Sequence, residues 1–328
     1  MEPSCSVRSV SNKVFRCAAE VFLNSMRSRF GYVKQHVDAG GYHWSFLERG
    51  PRSSEATVST PEHVVLFVHG FSSEKDSWLS VASRTLPSSR VLIPDLPGHG
   101  MTAPLSHAAE YGAAVQVERL KAFVDATIPK DVPIHLVGCS MGGLISGLYA
   151  ATYPDQLQSL TLICPAGISM PRRSPVLAKY EDEGVNIMRA GTVDEFQDLM
   201  QYIAYRPPGY VMEKPKGMRK IMLGLMTSYR AERMPIFDKV LEDMMANQRI
   251  LEDNLHKIRV PTVVLWGQED QILDVSCIER LDGKLAHAHV VVVPKCGHIV
   301  QQSYPELCAA YINQLIAETS PSTAMALA

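Results

Sequence analysis

The sequence predicts an α/β fold with a mostly parallel sheet and a helical cap inserted between two halves of the core. Short apolar runs alternate with helical stretches from residue 42 onwards, which is typical of βαβ units. The alternation stops after residue 167 and resumes near residue 260, which indicates an insertion. At 328 residues, the chain is long enough for one large core and a smaller inserted unit.

The composition excludes several classes of protein. Apolar residues make up 46% of the chain, charged residues 20%, and the formal net charge is −2, so we expect a folded protein with no nucleic-acid partner. The seven cysteines are odd in number and scattered, without C-x-x-C pairs or histidines spaced for zinc. We therefore expect an intracellular, reducing environment, no structural disulfide and no metal site.

Residues 1–41 are predicted to form a basic amphipathic N-terminal extension. The first 34 residues hold six basic and two acidic residues, and their apolar residues are close to helical spacing. Charged residues interrupt the best apolar run, so it falls short of the roughly 18 residues that a membrane-spanning helix needs. Three interpretations stay open: peripheral contact with an anionic membrane, mitochondrial targeting, or a helix packed on the core.

Residues 42–167 are predicted to form the first half of the core. The predicted elements, in order, are an antiparallel strand at 42–48, buried strands within 63–70 and 90–100, a helix at 113–128, and strands at 133–138 and within 157–167. Each buried strand ends in a glycine-containing or proline-containing turn, which is where the functional residues of such folds lie. The motifs of interest should therefore follow these strand ends.

Residues 168–250 are predicted to form the helical cap, and they contain ten of the fifteen methionines. Methionine offers a flexible, polarisable apolar surface, so a cap over the strand ends favours an apolar substrate such as an acyl chain. A basic cluster in this segment would meet anionic lipid headgroups or simply form a solvated face; it comprises Lys214, Lys216, Arg219 and Lys220.

Residues 251–318 are predicted to form the second half of the core. Strands lie within 260–274 and 289–298, and a closing helix is expected near 305–317. Residues 319–328 have no apolar periodicity and are predicted to be a disordered tail.

The stretch "HLVGCSMGGL" at 135–144 predicts a nucleophile on a sharp strand-to-helix turn. Gly138 and Gly142 flank Ser140 at the two positions where a strained turn needs small residues. The helix that follows would direct its positive end and free amides at Ser140, which makes the Met141 amide one oxyanion donor. Cys139 is interpreted as a buried small residue that points away from the turn.

A second oxyanion donor is expected from the loop "HGFSSEKDSW" after the strand at 64–68. We assign it to the amide of Phe71. His69 is interpreted as a residue that shapes this turn through hydrogen bonds rather than as a proton carrier.

The base and its carboxylate partner are expected at the ends of later strands, in the order serine, acid, histidine. Asp270 follows "TVVLWG", although Glu269 and Asp274 are close rivals. His298 lies in a glycine-flanked loop after "VVVVPKCG", unlike the other histidines that follow Ser140. These three residues form the predicted triad.

The blocks "HLVGCSMGG", "FVHGFSSEKDSWLSVA", "PDLPGHG", "LICPAGI", "RVPTVVLWGQEDQILDVS" and "VPKCGH" together resemble the α/β-hydrolase superfamily. The likeness spans about residues 42–317 and is greatest to the membrane-associated monoacylglycerol lipase group and its bacterial lipase relatives. It implies an eight-stranded α/β-hydrolase sheet and the same triad and oxyanion roles. In contrast to that group, no membrane-spanning N-terminus is expected in this sequence, and Gln301 and Gln302 stand where a glutamate commonly follows the catalytic histidine.

The sequence therefore predicts a serine hydrolase that cleaves fatty-acyl esters, foremost monoacylglycerol, without a cofactor. One alternative is a carbon–carbon bond hydrolase of aromatic-ring catabolism, whose family shares the "SMGG" turn and a similar cap. An arginine projecting into the pocket would favour that interpretation, because its substrates carry a carboxylate, whereas an apolar pocket would oppose it. Another alternative is a ligand-binding protein with the same fold and little or no turnover.

Overall fold

Eight strands form one sheet in the computed structural model, which describes residues 20–21, 23–51, 62–285 and 287–319. The strands are β1 (Val33–Ala39), β2 (Tyr42–Arg49), β3 (Val64–Val68), β4 (Arg90–Pro94), β5 (Ile134–Cys139), β6 (Leu157–Ile163), β7 (Thr262–Gly267) and β8 (Ala288–Val293). Their order across the sheet is β1-β2-β4-β3-β5-β6-β7-β8. β1 and β2 pair antiparallel, and β3 to β8 are parallel. The carboxyl ends of these six strands therefore meet at one edge.

The sheet begins earlier in the chain than the sequence predicts. Residues 33–39, assigned above to the N-terminal extension, form β1 and pair with β2 along its length. The prediction was wrong here because β1 is an edge strand whose side chains are all exposed or half-buried. Its sequence, "VKQHVDA", therefore lacks the apolar alternation that marks a buried strand.

The helices are α1 (residues 20–21 and 23–29), α2 (Leu79–Ala82), α3 (Ala113–Thr127), α4 (Met141–Thr152), α5 (Pro175–Glu183), α6 (Val193–Ile203), α7 (Gly217–Ala246), α8 (Val300–Ser303) and α9 (Pro305–Thr319). Short 3-10 helices lie at Lys75–Trp78, Pro154–Gln156, Ile187–Arg189, Glu252–Lys257 and Val275–Arg280. Helices α3 and α4 pack together against the sheet, and α2, α8 and α9 pack against one another and the sheet. The strands β3, β5 and β7 are buried throughout, so the core lies along the middle of the sheet.

Arg27 ties the N-terminal helix α1 to the core. Arg27 is buried and forms a two-pronged ion pair with Asp76, with Nε–Oδ1 and Nη2–Oδ2 distances of 2.7 and 2.5 Å. Arg27 also donates to Glu20 on the same helix. Residues 1–19, the first part of the predicted N-terminal extension, and residues 320–328, nearly all of the predicted tail, lie outside the described residues.

Three helices connect β6 to β7, within the residues predicted to form the cap. Helix α5 begins with Ser174, whose side chain accepts from the Leu177 amide, and α6 begins with a reciprocal pair between Thr192 and Glu195. Helix α7 is 30 residues long and packs on α6 and α3. Among the described residues, no helix combines the length and apolar character needed to cross a membrane.

Candidate active site

Ser140 occupies a strained turn between β5 and α4. Its backbone has φ 56° and ψ −121°, a region that L-residues rarely adopt. The turn is held on both sides, because the Ser140 amide donates to the Ile163 carbonyl and its own carbonyl accepts from Leu144 and Ala166. The strain is therefore sustained by the ends of β5 and β6, and Ser140 lines a cavity at the carboxyl edge of the sheet.

The glycines around Ser140 allow a close approach of backbones. A Cβ atom on Gly138 would lie 2.2 Å from the Gly142 carbonyl oxygen, and one on Gly142 would lie 2.2 Å from the Val68 carbonyl oxygen. Either position therefore excludes a side chain unless the strand and helix move apart. Met141 is the first residue of α4, so its amide has no partner within the helix.

His298 forms a hydrogen bond with Asp270, as the sequence predicts for the catalytic base and its carboxylate partner. The His298 Nδ1 to Asp270 Oδ2 distance is 2.7 Å, and both side chains are buried. The other carboxylate oxygen accepts from the amides of Ile272 and Leu273 at 2.9 and 3.0 Å. Because a carboxylate only accepts, Nδ1 carries the proton, and Nε2 is left as the basic nitrogen.

The two rivals of Asp270 are engaged elsewhere. Glu269 accepts from the Cys296 amide at 2.9 Å. Asp274 accepts from the Ser276 amide and pairs with Arg172, both at 2.9 Å. The geometry therefore brings Asp270, rather than either neighbour, to His298.

The loop after β3 holds Phe71 beside Ser140. His69 Nδ1 donates to the Gly70 carbonyl at 2.8 Å, and its Nε2 accepts from the Leu96 amide at 3.0 Å. Burial lowers the pKa of His69, which favours the neutral ring that these bonds require. Since the carbonyl and amide of a trans peptide point in opposite directions, holding the Gly70 carbonyl turns the Phe71 N–H away from His69. Gly70 and Phe71 both line the cavity with Ser140.

The cavity that contains Ser140 and His298 has a volume of about 490 Å³ and two unlike sides. One side comes from the loop after β3 and is polar, with Ser72, Ser73, Glu74 and Ser77. The other side comes largely from the cap and is mostly apolar, with Tyr229 and Arg230 as its polar members; the apolar residues are Met188, Phe196, Leu199, Met200, Ile203 and Met226. Of the cap methionines, Met188, Met200 and Met226 reach the cavity, while Met218 and Met222 are exposed.

Glu74 was not identified from the sequence as a site residue. It lines the polar side of the cavity and is half-buried. Burial, followed by the nearby Asp95, raises its pKa to about 7. The side chain is thus divided between its acid and carboxylate forms near neutral pH, so it can donate or accept a hydrogen bond there.

Arg230 is a second cavity residue that the sequence did not identify. It is buried in α7 and donates to the carbonyls of Ala190 and Met188 at 2.7 and 3.2 Å, and to the Ser72 hydroxyl. Burial lowers its pKa to about 10, and no carboxylate among the described residues forms an ion pair with it. Arg230 therefore brings a positive charge to the cavity and connects the cap to the loop that holds Phe71.

The buried thiols near the site are in the protonated form. Burial raises the pKa of Cys139 and Cys164 well above the ordinary value. Cys164 lies close to Asp270 and His298, and one donor atom from each of the three residues falls within 4.8 Å of the others. A metal ion there would need the thiolate and would compete with the bond between Asp270 and His298, so these residues fit a metal poorly.

A buried ion pair fixes the outer part of the loop that follows β3. Lys75 and Asp95 are both fully buried, and their Nζ–Oδ2 distance is 2.6 Å. Asp95 also accepts from the amides of Lys75 and Met101, each at 2.8 Å. The end of β4 therefore anchors the segment that carries Glu74 and, further back, Phe71.

Replacing Lys75 with methionine is expected to lower the free energy of unfolding by about 3–5 kcal/mol, because it leaves the Asp95 carboxylate buried and unpaired. Chemical denaturation followed by tryptophan fluorescence measures the loss. Lys121→Met is the matched control, since Lys121 pairs with Asp125 on the surface of α3 and should change stability far less. Equal losses in the two variants would contradict the role of the buried pair.

The fold and the strained turn at Ser140 together define an α/β-hydrolase, and the chain belongs to the alpha/beta hydrolase family, which it matches over residues 65–311. The predicted fold class, a mostly parallel eight-stranded sheet flanked by helices, is confirmed.

Several proteins that are similar to this chain are lipases or phospholipases. Over 299 residues the chain is 31% identical to the monoacylglycerol lipase abhd6-A of Xenopus laevis, covering 88% of this chain and 84% of that one. It is 28% identical to lipase 3 of a Moraxella species over 237 residues, covering 72% and 71% of the two chains. The crystal structure of a bacterial membrane phospholipase A superposes with a TM-score of 0.81 at 28% identity, covering 96% of each chain. The predicted resemblance to monoacylglycerol lipases and bacterial lipases is thus confirmed.

Proposed function

We propose that the protein is a serine hydrolase that cleaves monoacylglycerol to a fatty acid and glycerol. Membership of the alpha/beta hydrolase family and the lipases among its relatives support ester hydrolysis. The observation that carries the proposal is the cavity itself, in which Ser140 and His298 lie between a polar side and an apolar side. Such a cavity fits a substrate with a hydroxylated head and a long acyl chain.

The proposed reaction proceeds through an acyl-enzyme. Ser140 attacks the ester carbonyl while His298 Nε2 takes its proton, and Asp270 holds the ring in the required tautomer. The amides of Phe71 and Met141 stabilise the oxyanion of the tetrahedral intermediate. His298 then gives the proton to the departing glycerol oxygen, and water, activated by the same ring, releases the fatty acid.

The two sides of the cavity would bind the two ends of the substrate. The methionines and Phe196 of the cap would surround the acyl chain, because flexible apolar side chains adapt to chains of different length. The glycerol hydroxyls would contact Glu74 and the neighbouring serines, which supply donors and acceptors.

Arg230 favours a second candidate function, a carbon–carbon bond hydrolase whose substrate carries a carboxylate. Arg230 lines the cavity without a carboxylate partner among the described residues, which is the feature that would favour this alternative. However, three of its N–H groups are already used by Ala190, Met188 and Ser72. A bound carboxylate would have to use the remaining two.

A substrate panel separates the candidates. The purified protein is given long-chain monoacylglycerols, short p-nitrophenyl esters and a ring-cleavage dienoate, and kcat/KM is measured for each. We expect the highest kcat/KM for a monoacylglycerol, and Arg230→Met to leave the order of preference unchanged. A preference for the dienoate that disappears in Arg230→Met would establish the second candidate, whereas absence of turnover on every compound would favour a ligand-binding protein.

Membrane contact through the N-terminal segment is a further part of the proposal. The basic, amphipathic pattern of residues 1–34 supports peripheral binding to an anionic membrane. Mitochondrial targeting by the same residues stays an alternative prediction, because Arg-rich and Ser-rich composition also marks transit peptides.

A further inference from the structure

The first two turns of helix α7 present apolar side chains to solvent. Met218, Ile221 and Met222 are exposed by 62, 44 and 57%. They are spaced three and four residues apart, so they lie on one face of the helix. Large apolar side chains that share an exposed face mark an interaction site more often than scattered ones do.

The contrast with the other half of the same helix shows that this exposure is unusual. Further along α7, Ile236, Phe237 and Val240 are also spaced for one face, and each is at most 2% exposed. The second half of α7 therefore buries these apolar residues against the core, whereas the turns before Thr227 present theirs to solvent. A 30-residue helix of this kind has an unpartnered amphipathic end.

Basic residues predominate beside this apolar face, where Glu213 is the one exposed acidic residue between positions 210 and 222. Lys214, Lys216, Arg219 and Lys220 are all exposed, and none of them pairs with a carboxylate in the part of the chain that the structure describes. The preceding loop adds Tyr210 and Val211, which are exposed by 50 and 82%. The exposed side chains of residues 210–222 together are called the cap surface below.

The cap surface is continuous with the cavity. Met226, one turn beyond Met222, is 41% exposed and also lines the cavity that contains Ser140. Tyr229 and Arg230 follow it into the cavity wall. The apolar face of α7 therefore extends from solvent to the site.

We propose that the cap surface docks on an anionic lipid bilayer, with its apolar side chains in the interface and its lysines and Arg219 against the headgroups. Amphipathic helices with basic flanks bind such membranes through buried apolar area and electrostatic attraction together. Docking places the mouth of the cavity at the bilayer, so an acyl chain enters without crossing water. This last step rests on the proposed lipid substrate, whereas docking itself does not.

Vesicle sedimentation of the full chain tests the proposal, with vesicles of phosphatidylcholine alone or with three parts in ten of phosphatidylglycerol. One variant combines Met218→Ser, Ile221→Ser and Met222→Ser, and a second replaces Lys214, Lys216, Arg219 and Lys220 with glutamine. Val115→Ser is the control, because Val115 is an exposed apolar residue on α3. All are measured in the Ser140→Ala background, so that no lipid is hydrolysed.

We expect the native surface to bind anionic vesicles, and each cap variant to bind them at least about tenfold less tightly, with no change in the control. If both cap variants bound anionic vesicles as tightly as the protein with the native cap surface, the proposal would be overturned. Any membrane contact would then lie elsewhere, such as in residues 1–41. A dimer in sedimentation velocity that the serine variant dissociates would also overturn it, because the occupant would then be a second copy.

Hydrolysis of a soluble ester tests the proposed function independently of membrane docking. With Ser140 restored, both cap variants should hydrolyse a short p-nitrophenyl ester with the native kcat/KM, since none of their substitutions lines the cavity. If the native chain cleaves no ester, the proposed function fails, while the vesicle result still decides whether the cap surface docks.

Discussion

Ser140→Ala is expected to lower kcat for ester hydrolysis on the order of 10⁵- to 10⁶-fold, because no acyl-enzyme can form without the hydroxyl. The loss should appear in kcat and kcat/KM together, since the hydroxyl acts on the reacting carbonyl rather than on ground-state binding. Single-turnover and steady-state kinetics on a monoacylglycerol measure it. Labelling by a fluorophosphonate, which requires the same activated oxygen, should disappear in parallel.

The substitution leaves the surroundings of residue 140 in place, so loss of activity will not reflect loss of fold. Alanine is no more strained than serine at φ 56°, and the bonds that hold this turn use backbone atoms only. Ser146→Ala on the same helix is the matched control, because its buried hydroxyl has no hydrogen-bond partner among the described residues. Fluorophosphonate labelling that persists in Ser140→Ala, or disappears in Ser146→Ala, would contradict the assignment of the nucleophile.

The parts of the site that follow strand ends could be predicted from the sequence. The turn at Ser140 is specified within ten residues, because a buried strand, two glycines and a helix must meet there. Asp270 and His298 lie far apart in the sequence, but parallel strands bring their carboxyl ends to one edge. Knowing the strands was therefore enough to predict where these side chains meet.

Other features depend on packing between distant segments and leave little trace in the sequence. Arg230 looks like an ordinary helix residue, and only the position of α7 over the loop at Ser72 brings it to the cavity. The pKa of Glu74 is raised to about 7 because the fold buries this residue and places it near Asp95. The residues adjacent to Glu74 in the sequence do not predict that environment. The edge strand β1 went unrecognised for the opposite reason, since its exposed side chains carry no apolar pattern.

The cap shows how composition can be informative without being sufficient. The excess of methionine predicted apolar surface, but not which methionines would face the cavity. Met200 and Met226 line the cavity, whereas Met218 and Met222, which also belong to the cap, are exposed to solvent. Helical spacing alone does not separate these groups, because the packing of α7 changes along its length.

Asp270→Asn is expected to lower kcat by roughly 10⁴-fold, through the tautomer of His298. The Oδ1 atom of Asp270 accepts from the amides of Ile272 and Leu273, and the substituted amide would keep its oxygen there. Its NH₂ group would then face His298 Nδ1 as a donor. The ring would have to accept at Nδ1 and carry its proton on Nε2, where it can no longer take the proton of Ser140.

Asp274→Asn is the matched control, because Asp274 is the same residue type four positions away and pairs with Arg172 instead of His298. Steady-state kinetics on a soluble ester should show less than about a tenfold loss for this variant, as expected for a carboxylate outside the reacting groups. Unfolding midpoints measured for both variants separate catalysis from stability. If Asp274→Asn were the inactive variant, the acid would be misassigned, even though His298 would stay the base. The hydrogen bonds to Ile272 and Leu273 therefore make this pair of substitutions decisive, since they fix which atom of residue 270 the histidine meets.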